Sequence, residues 1–160
     1  MTKYLQNCFL LLVPILLWNV LLTEQLPSAF QPDFFWKDIP SFITIPENVL
    51  RILVMASPVF LILSVKTKIQ RIGLTLYIAG TILYFASWLV LIYFPGSAWS
   101  QNAIGFMAPA YTPLIWLIGI GLIGRQSFFN LKNASRIYIL LSIAFILFHS
   151  LHTYWVFERI

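Results

Sequence analysis

Five apolar runs, each about as long as a bilayer is thick, constrain this chain more than any other feature. A helix crossing the hydrocarbon core needs about 20 mostly apolar residues. The runs extend over about Tyr4 to Leu22, Ile45 to Val65, Ile72 to Phe94, Asn102 to Ile123 and Ile137 to Phe157. Leu10-Leu11-Leu12-Val13 and Leu114-Ile115-Trp116-Leu117-Ile118 show none of the in–out alternation of an outer-membrane barrel strand. Lipid offers no partner to backbone N–H and C=O groups, so such runs must cross as helices. Only 9% of the 160 residues are charged and 60% are apolar, where a soluble domain carries about 25% charged residues. A water-facing domain and a disordered chain are both excluded. The single cysteine, Cys8, excludes a disulfide within the chain and a cysteine-based zinc site. The expected fold is all-α: a polytopic integral membrane protein, one transmembrane helical domain over residues 1–160. It has five transmembrane helices and an outer loop at 23–44.

Loop charge gives an orientation, because Lys and Arg mark the cytoplasmic side. Lys3 precedes the first span. Lys66, Lys68 and Arg71 lie between the second and third, and Arg125, Lys132 and Arg136 between the fourth and fifth. All three basic segments fall on one side of a five-span chain. The N-terminus is therefore expected in the cytoplasm and the C-terminus outside, most simply in a plasma (inner) membrane. The formal net charge of +5 follows from these loops and does not call for nucleic acid, since no basic stripe with interleaved aromatics is present. Membrane lipids are the expected partners. Lys3, the apolar run after it and Pro27-Ser28-Ala29 also resemble a cleaved signal peptide. The run is longer than such signals carry, so an uncleaved first helix is expected.

Polar residues inside the spans are candidates for function. Thr44-Ile45-Pro46-Glu47 has the spacing of a capping box, which would start the second span at Thr44. Glu47 precedes Arg51 by four residues, close enough to pair on one helix face. The sharper reading is a polar pocket lined by Glu47, Asn48 and Arg51, with Arg51 on a carboxylate or phosphate headgroup. In the third span Gly73, Tyr77, Gly80, Tyr84, Ser87, Trp88 and Leu91 share one face. That face is either a packing seam or a cavity wall. Pro109 and Pro113 break or kink the fourth span and could free carbonyls beside Tyr111. Gly119, Gly121 and Gly124 resemble a contact surface. The first loop is an aromatic segment on the membrane surface, or a lid in which Asp33 or Asp38 supplies a carboxylate.

The fifth span places Tyr138, Ser142, Phe145, His149 and His152 on one stripe. His149 and His152 suit interfacial hydrogen bonding, acid–base work near neutral pH or, more weakly, a shared metal with a carboxylate. No nucleophile elbow, HExxH, P-loop or dinucleotide fingerprint is present.

Three functions follow. The first is a binding protein that holds a lipid or hydrophobic small molecule in an outward-facing intramembrane pocket, lined by Arg51, Asn48, Tyr84, Trp88, Tyr111 and His149. The second is a membrane enzyme on a lipid-linked substrate, with His149 or His152 as base, Glu47 as acid and Arg51 as headgroup clamp. The third is a non-catalytic subunit packed on a larger membrane protein through its glycine faces. In size, five spans and six tryptophans the chain resembles the tryptophan-rich sensory protein (translocator protein) family. That resemblance is one of gross architecture and carries over no function or residue.

Overall fold

The computed structural model describes residues 6–160. Lys3 and Tyr4 lie outside them. Every described element is helical, and no strand forms among the described residues. The first apolar run is a continuous helical rod, Cys8–Gln25, whose α-helical centre is α1 (Val13–Leu22). The loop after it holds one short helix, α2 (Pro32–Phe35). Next come α3 (Ser41–Ala56), prolonged by a 3-10 turn to Phe60, and α4 (Lys68–Tyr93). The fourth apolar run is broken into α5 (Ala103–Phe106), α6 (Ala108–Tyr111) and α7 (Pro113–Ile123). The last helix is α8 (Ala134–Phe157).

Four of these segments are long and apolar enough to cross a membrane: Cys8–Gln25, Ser41–Phe60, Lys68–Tyr93 and Ala134–Phe157. The fifth, Ala108–Ile123, is apolar but shorter. Pro109 and Pro113 open the second and third pieces of that run, and each lacks the N–H that would continue the ladder.

The start of α3 differs from the sequence expectation. The helix begins at Ser41, a turn before Thr44, so Thr44-x-x-Glu47 is not a capping box. Thr44 N–H bonds Pro40 instead, and Glu47 is fully buried. The helical part also ends at Phe60, where an extended segment begins. Residues 61–63 run between the chain near Asn7 and Ser127, with Cys8 N–H on the Leu61 carbonyl at 2.9 Å and Ile62 N–H on the Gln126 carbonyl at 2.8 Å. The start of the first rod, the end of α3 and the end of α7 therefore meet at the end of the bundle that carries the basic loops.

A capping box does form, at α4. Thr67 accepts from Gln70 N–H at 3.3 Å, and the Gln70 side chain accepts from Thr67 N–H at 3.0 Å. Replacing Thr67 with Ala is expected to cost about 1 kcal/mol, read as a lower thermal midpoint in detergent.

The faces of the long helices follow their spacing. The buried residues of α4 are Gln70, Gly73, Tyr77, Gly80, Tyr84, Ser87 and Leu91. Its neighbour along most of this face is α7. The core between them contains Trp116, Leu117, Ile120 and Ile123, all at most 2% exposed. On the opposite side, α8 packs on α3 and α7. Large apolar side chains such as Leu17, Val20, Ile52, Ile82 and Leu147 remain exposed on the outside. In water such a belt would be a liability; in lipid it is the solvent-facing surface.

The glycines expected to meet a partner protein are used within the fold. A Cβ at Gly73 would stand 2.8 Å from Leu122 and 2.9 Å from the Gly119 carbonyl. Gly121 meets Ile139, and Gly124 meets Leu61 and Cys8.

The first loop is docked on the bundle. Ala29 and Phe35 join Phe106 and Val156 in a second apolar cluster. Arg159 donates to the Lys37 and Phe34 carbonyls and lies over the Phe34 ring. The loop is therefore fixed to the end of α8.

Candidate functional site

Glu47 lies at the centre of the site. It sits on the buried face of α3, which packs against α8, and it is fully inaccessible. An ionised carboxylate there must be paired and hydrogen-bonded, because burial removes its water. Three side chains meet it. Arg51, one turn along α3, donates to Oε1. His149 of α8 contacts the same oxygen through Nδ1 at 2.9 Å. His152, one turn further, contacts Oε2 through Nδ1 at 2.5 Å. The spacing of three on α8 delivers both rings to one carboxylate.

The two histidines differ. His152 is fully buried, and its Nε2 lies 2.9 Å from the Phe35 carbonyl. A carbonyl only accepts, so Nε2 carries a proton. The Phe35 and Trp36 rings enclose the imidazole, at 4.2 and 4.7 Å between centroids. His152 thus ties the first loop to the bundle. His149 is 23% exposed. With Nδ1–H on Glu47, its Nε2 presents a lone pair, and its ring stacks on Phe145.

The proton arrangement follows from these contacts. His152 Nε2–H is committed to Phe35, so the contact between Nδ1 and Oε2 contains one proton shared by the two groups. Whichever of them holds it, Arg51, Glu47 and His152 together carry a formal charge of +1 while His149 is neutral.

Beside this cluster is a cavity of about 400 Å³, within the range of small-molecule sites. Every apolar run and the first loop contribute to its wall: Ile15 and Asn19, Phe30 and Trp36, Arg51 and Met55, Tyr84 and Trp88, Ala110 and Trp116, Phe145 and His149. Asn19 interrupts an apolar span because it accepts from the Tyr84 hydroxyl at 2.6 Å. The Arg51 guanidinium lies 5.0 Å from the Trp36 ring centroid. Its side chain is 34% exposed.

The chain matches no protein-family model, no curated protein and no solved structure. The likeness in size and tryptophan content is therefore not carried further, and any function must be argued from the site itself.

Of the residues singled out from sequence, Glu47, Arg51, His149 and His152 come together, and Arg51, Tyr84, Trp88 and His149 line the cavity. Two do not. Asn48 is exposed and lies outside the cavity wall, because the residue after Glu47 is turned about 100° around the helix. The Tyr111 hydroxyl donates to the Ile104 carbonyl at 3.2 Å, and Tyr111 is likewise absent from the wall. Asp33 and Asp38 are exposed, so the first loop gives the site a carbonyl and two rings rather than a carboxylate. Among the described residues no group of three His, Cys, Asp or Glu is placed to hold a metal. Both Nδ1 atoms are turned onto the carboxylate that would have been the third ligand. Sequence reasoning passed over Phe35, Trp36, Met55, Ala110 and Trp116 as site residues. Asn19 was visible only as a polar interruption in an apolar run.

Proposed function

We propose that this chain is a five-span protein of the plasma (inner) membrane, with its N-terminus in the cytoplasm. In this reading it binds a lipid or hydrophobic small molecule in a pocket facing the outer side. The observation that carries the reading is the cavity: about 400 Å³, walled by aromatic and aliphatic side chains from every apolar run, with Arg51, His149 and Tyr84 as its charged and titratable lining. A few polar groups in an apolar wall suit recognition of such a ligand. The orientation rests on the basic loops, and lipid supplies both the setting and a source of ligands.

The test is mass spectrometry of gently purified protein together with a blocked variant. Ala110 is 2% exposed and lines the cavity. Ala110→Phe is expected to fill the space and remove co-purifying ligand while the protein stays monodisperse. Retention of the same ligand at the same stoichiometry would overturn the assignment of this cavity.

An enzyme is the second reading, favoured by one observation. Glu47 holds His149 by Nδ1 and leaves Nε2 facing the cavity. A histidine oriented by a carboxylate is suited to take a proton from a bound hydroxyl or water. Glu47 itself is enclosed and hydrogen-bonded, which suits it to orient His149. In this reading His149→Gln abolishes turnover and retains ligand.

A further inference from the structure

The cavity's ligand class can be narrowed, on the assumption that the cavity binds a ligand at all. We infer that the ligand is a single-tailed amphiphile bearing one anionic group, a carboxylate or phosphate monoester. The anion lies against Arg51 and His149, and the apolar body lies between Trp88 and Trp116.

Two observations lead there. The first is charge. Glu47 does not leave the wall neutral, because the proton it shares with His152 restores the positive charge that its carboxylate would cancel. The cluster therefore carries +1 beside an otherwise uncharged wall, in which Arg51 is the charged residue and His149 and Tyr84 are the other titratable ones. The guanidinium has five N–H donors. Among the described residues its hydrogen bond is the one to Glu47, so the remaining donors are available on the cavity side. His149 Nε2 stands on the same wall. It accepts from a protonated acid, or gains a proton and donates to an anion. A positive charge at membrane depth is costly without an anion, and a ligand anion provides one.

The second observation is size. About 400 Å³ is the space of roughly 13 water-sized units at about 30 Å³ each. One apolar tail of about a dozen carbons fills that space on this measure, with its head group at Arg51, and the two tails of a diacyl lipid exceed it.

The experiment uses the full chain in zwitterionic nanodiscs. Trp36, Trp88 and Trp116 line the cavity, so a bound bromoalkyl chain quenches their fluorescence. The probes are 12-bromododecanoate, 12-bromododecyl phosphate and 12-bromododecanol, at a pH that ionises the acid. Unbrominated dodecanoate serves as competitor, to separate binding from partitioning into lipid. The expected result is saturable quenching by both anions, with affinity at least about tenfold above the alcohol, the ratio that a hydrogen bond to a charged group supports. Equal affinity for alcohol and anion overturns the anionic assignment and leaves the binding reading standing. Absence of competable quenching by any probe overturns both. Repeating the titration in nanodiscs of anionic phospholipid separates the two sources of anion. Loss of the acid's apparent affinity there assigns the subsite to phospholipid headgroups and overturns the single-tailed ligand, and its retention supports a free amphiphilic acid. Folded Arg51→Met protein is expected to bind acid and alcohol alike, and a preserved preference in it would also overturn the inference.

Discussion

Glu47→Ala is expected to destabilise the protein by about 3–5 kcal/mol, the cost of removing one partner from a buried charge pair. Arg51 and both Nδ1 atoms lose their acceptor at once. His152 is fully buried and has no route to water for its unpaired nitrogen. Glu47→Gln is expected to behave differently. The amide oxygen still accepts from His149 and Arg51. The amide nitrogen donates to His152 Nδ1, which then presents a lone pair while Nε2–H stays on Phe35. Every hydrogen bond of the cluster is preserved by the neutral isostere, so the change should stay within about 1.5 kcal/mol. Thermal unfolding of the three proteins in one detergent measures both differences. If Gln is as damaging as Ala, the negative charge itself is required and the shared proton rests on His152 rather than on Glu47. The pair of substitutions separates loss of a partner from loss of a charge.

The parts of this site differ in how far sequence could reveal them. The stripe on α8 and the face of α4 were legible because spacings of three and four mark one side of a helix. The Glu47–Arg51 pair was legible for the same reason, being four residues apart on one helix. That Glu47 meets His149 and His152 was not, because the contacts join residues 102 and 105 positions apart. They depend on α3 packing against α8, and no local pattern fixes which helices are neighbours. The capping-box reading of Thr44 and Glu47 failed for a related reason. A carboxylate at that spacing suits a helix start, but the helix starts a turn earlier, where Thr44 N–H already bonds the Pro40 carbonyl, and Glu47 instead meets Arg51, His149 and His152. Asn48 was then misplaced with it, since the helical register decides which of two adjacent polar residues faces inward. Tyr111 lies between two prolines, where each break in the ladder shifts the register of the next helical piece. Apolar runs marked four segments long enough to cross a membrane, while Pro109 and Pro113 broke the remaining run into shorter helical pieces. The lining by Met55, Ala110 and Trp116 was hidden because apolar residues in an apolar span carry no mark of the side they face.

The seam between α4 and α7 should tolerate little added bulk. A Cβ on Gly80 would stand 2.5 Å from the Trp116 backbone nitrogen and 3.0 Å from the Ile115 carbonyl carbon. On Gly119 it would stand 2.6 Å from the Tyr77 nitrogen and 2.7 Å from the Gly73 carbonyl oxygen. These obstacles are backbone, so no side-chain rotation relieves them and the helices must separate. Small residues at such crossings permit the close approach on which helix association in lipid depends. Gly80→Leu and Gly119→Leu are each expected to cost at least the upper end of the usual range of about 1–3 kcal/mol for overpacking. Gly96, where a Cβ would meet nothing within 4 Å, provides the control, and Gly96→Ala should leave the thermal midpoint within scatter. The seam also sets the cavity. Tyr84 and Trp88 project from α4 and Trp116 from α7 into the same wall. Displacing the helices moves those rings apart, so Gly80→Ala, the mildest change at the crossing, should weaken competable quenching even where folded protein is recovered. A Gly80→Leu protein with an unchanged midpoint would show that α4 and α7 are not in contact at this crossing.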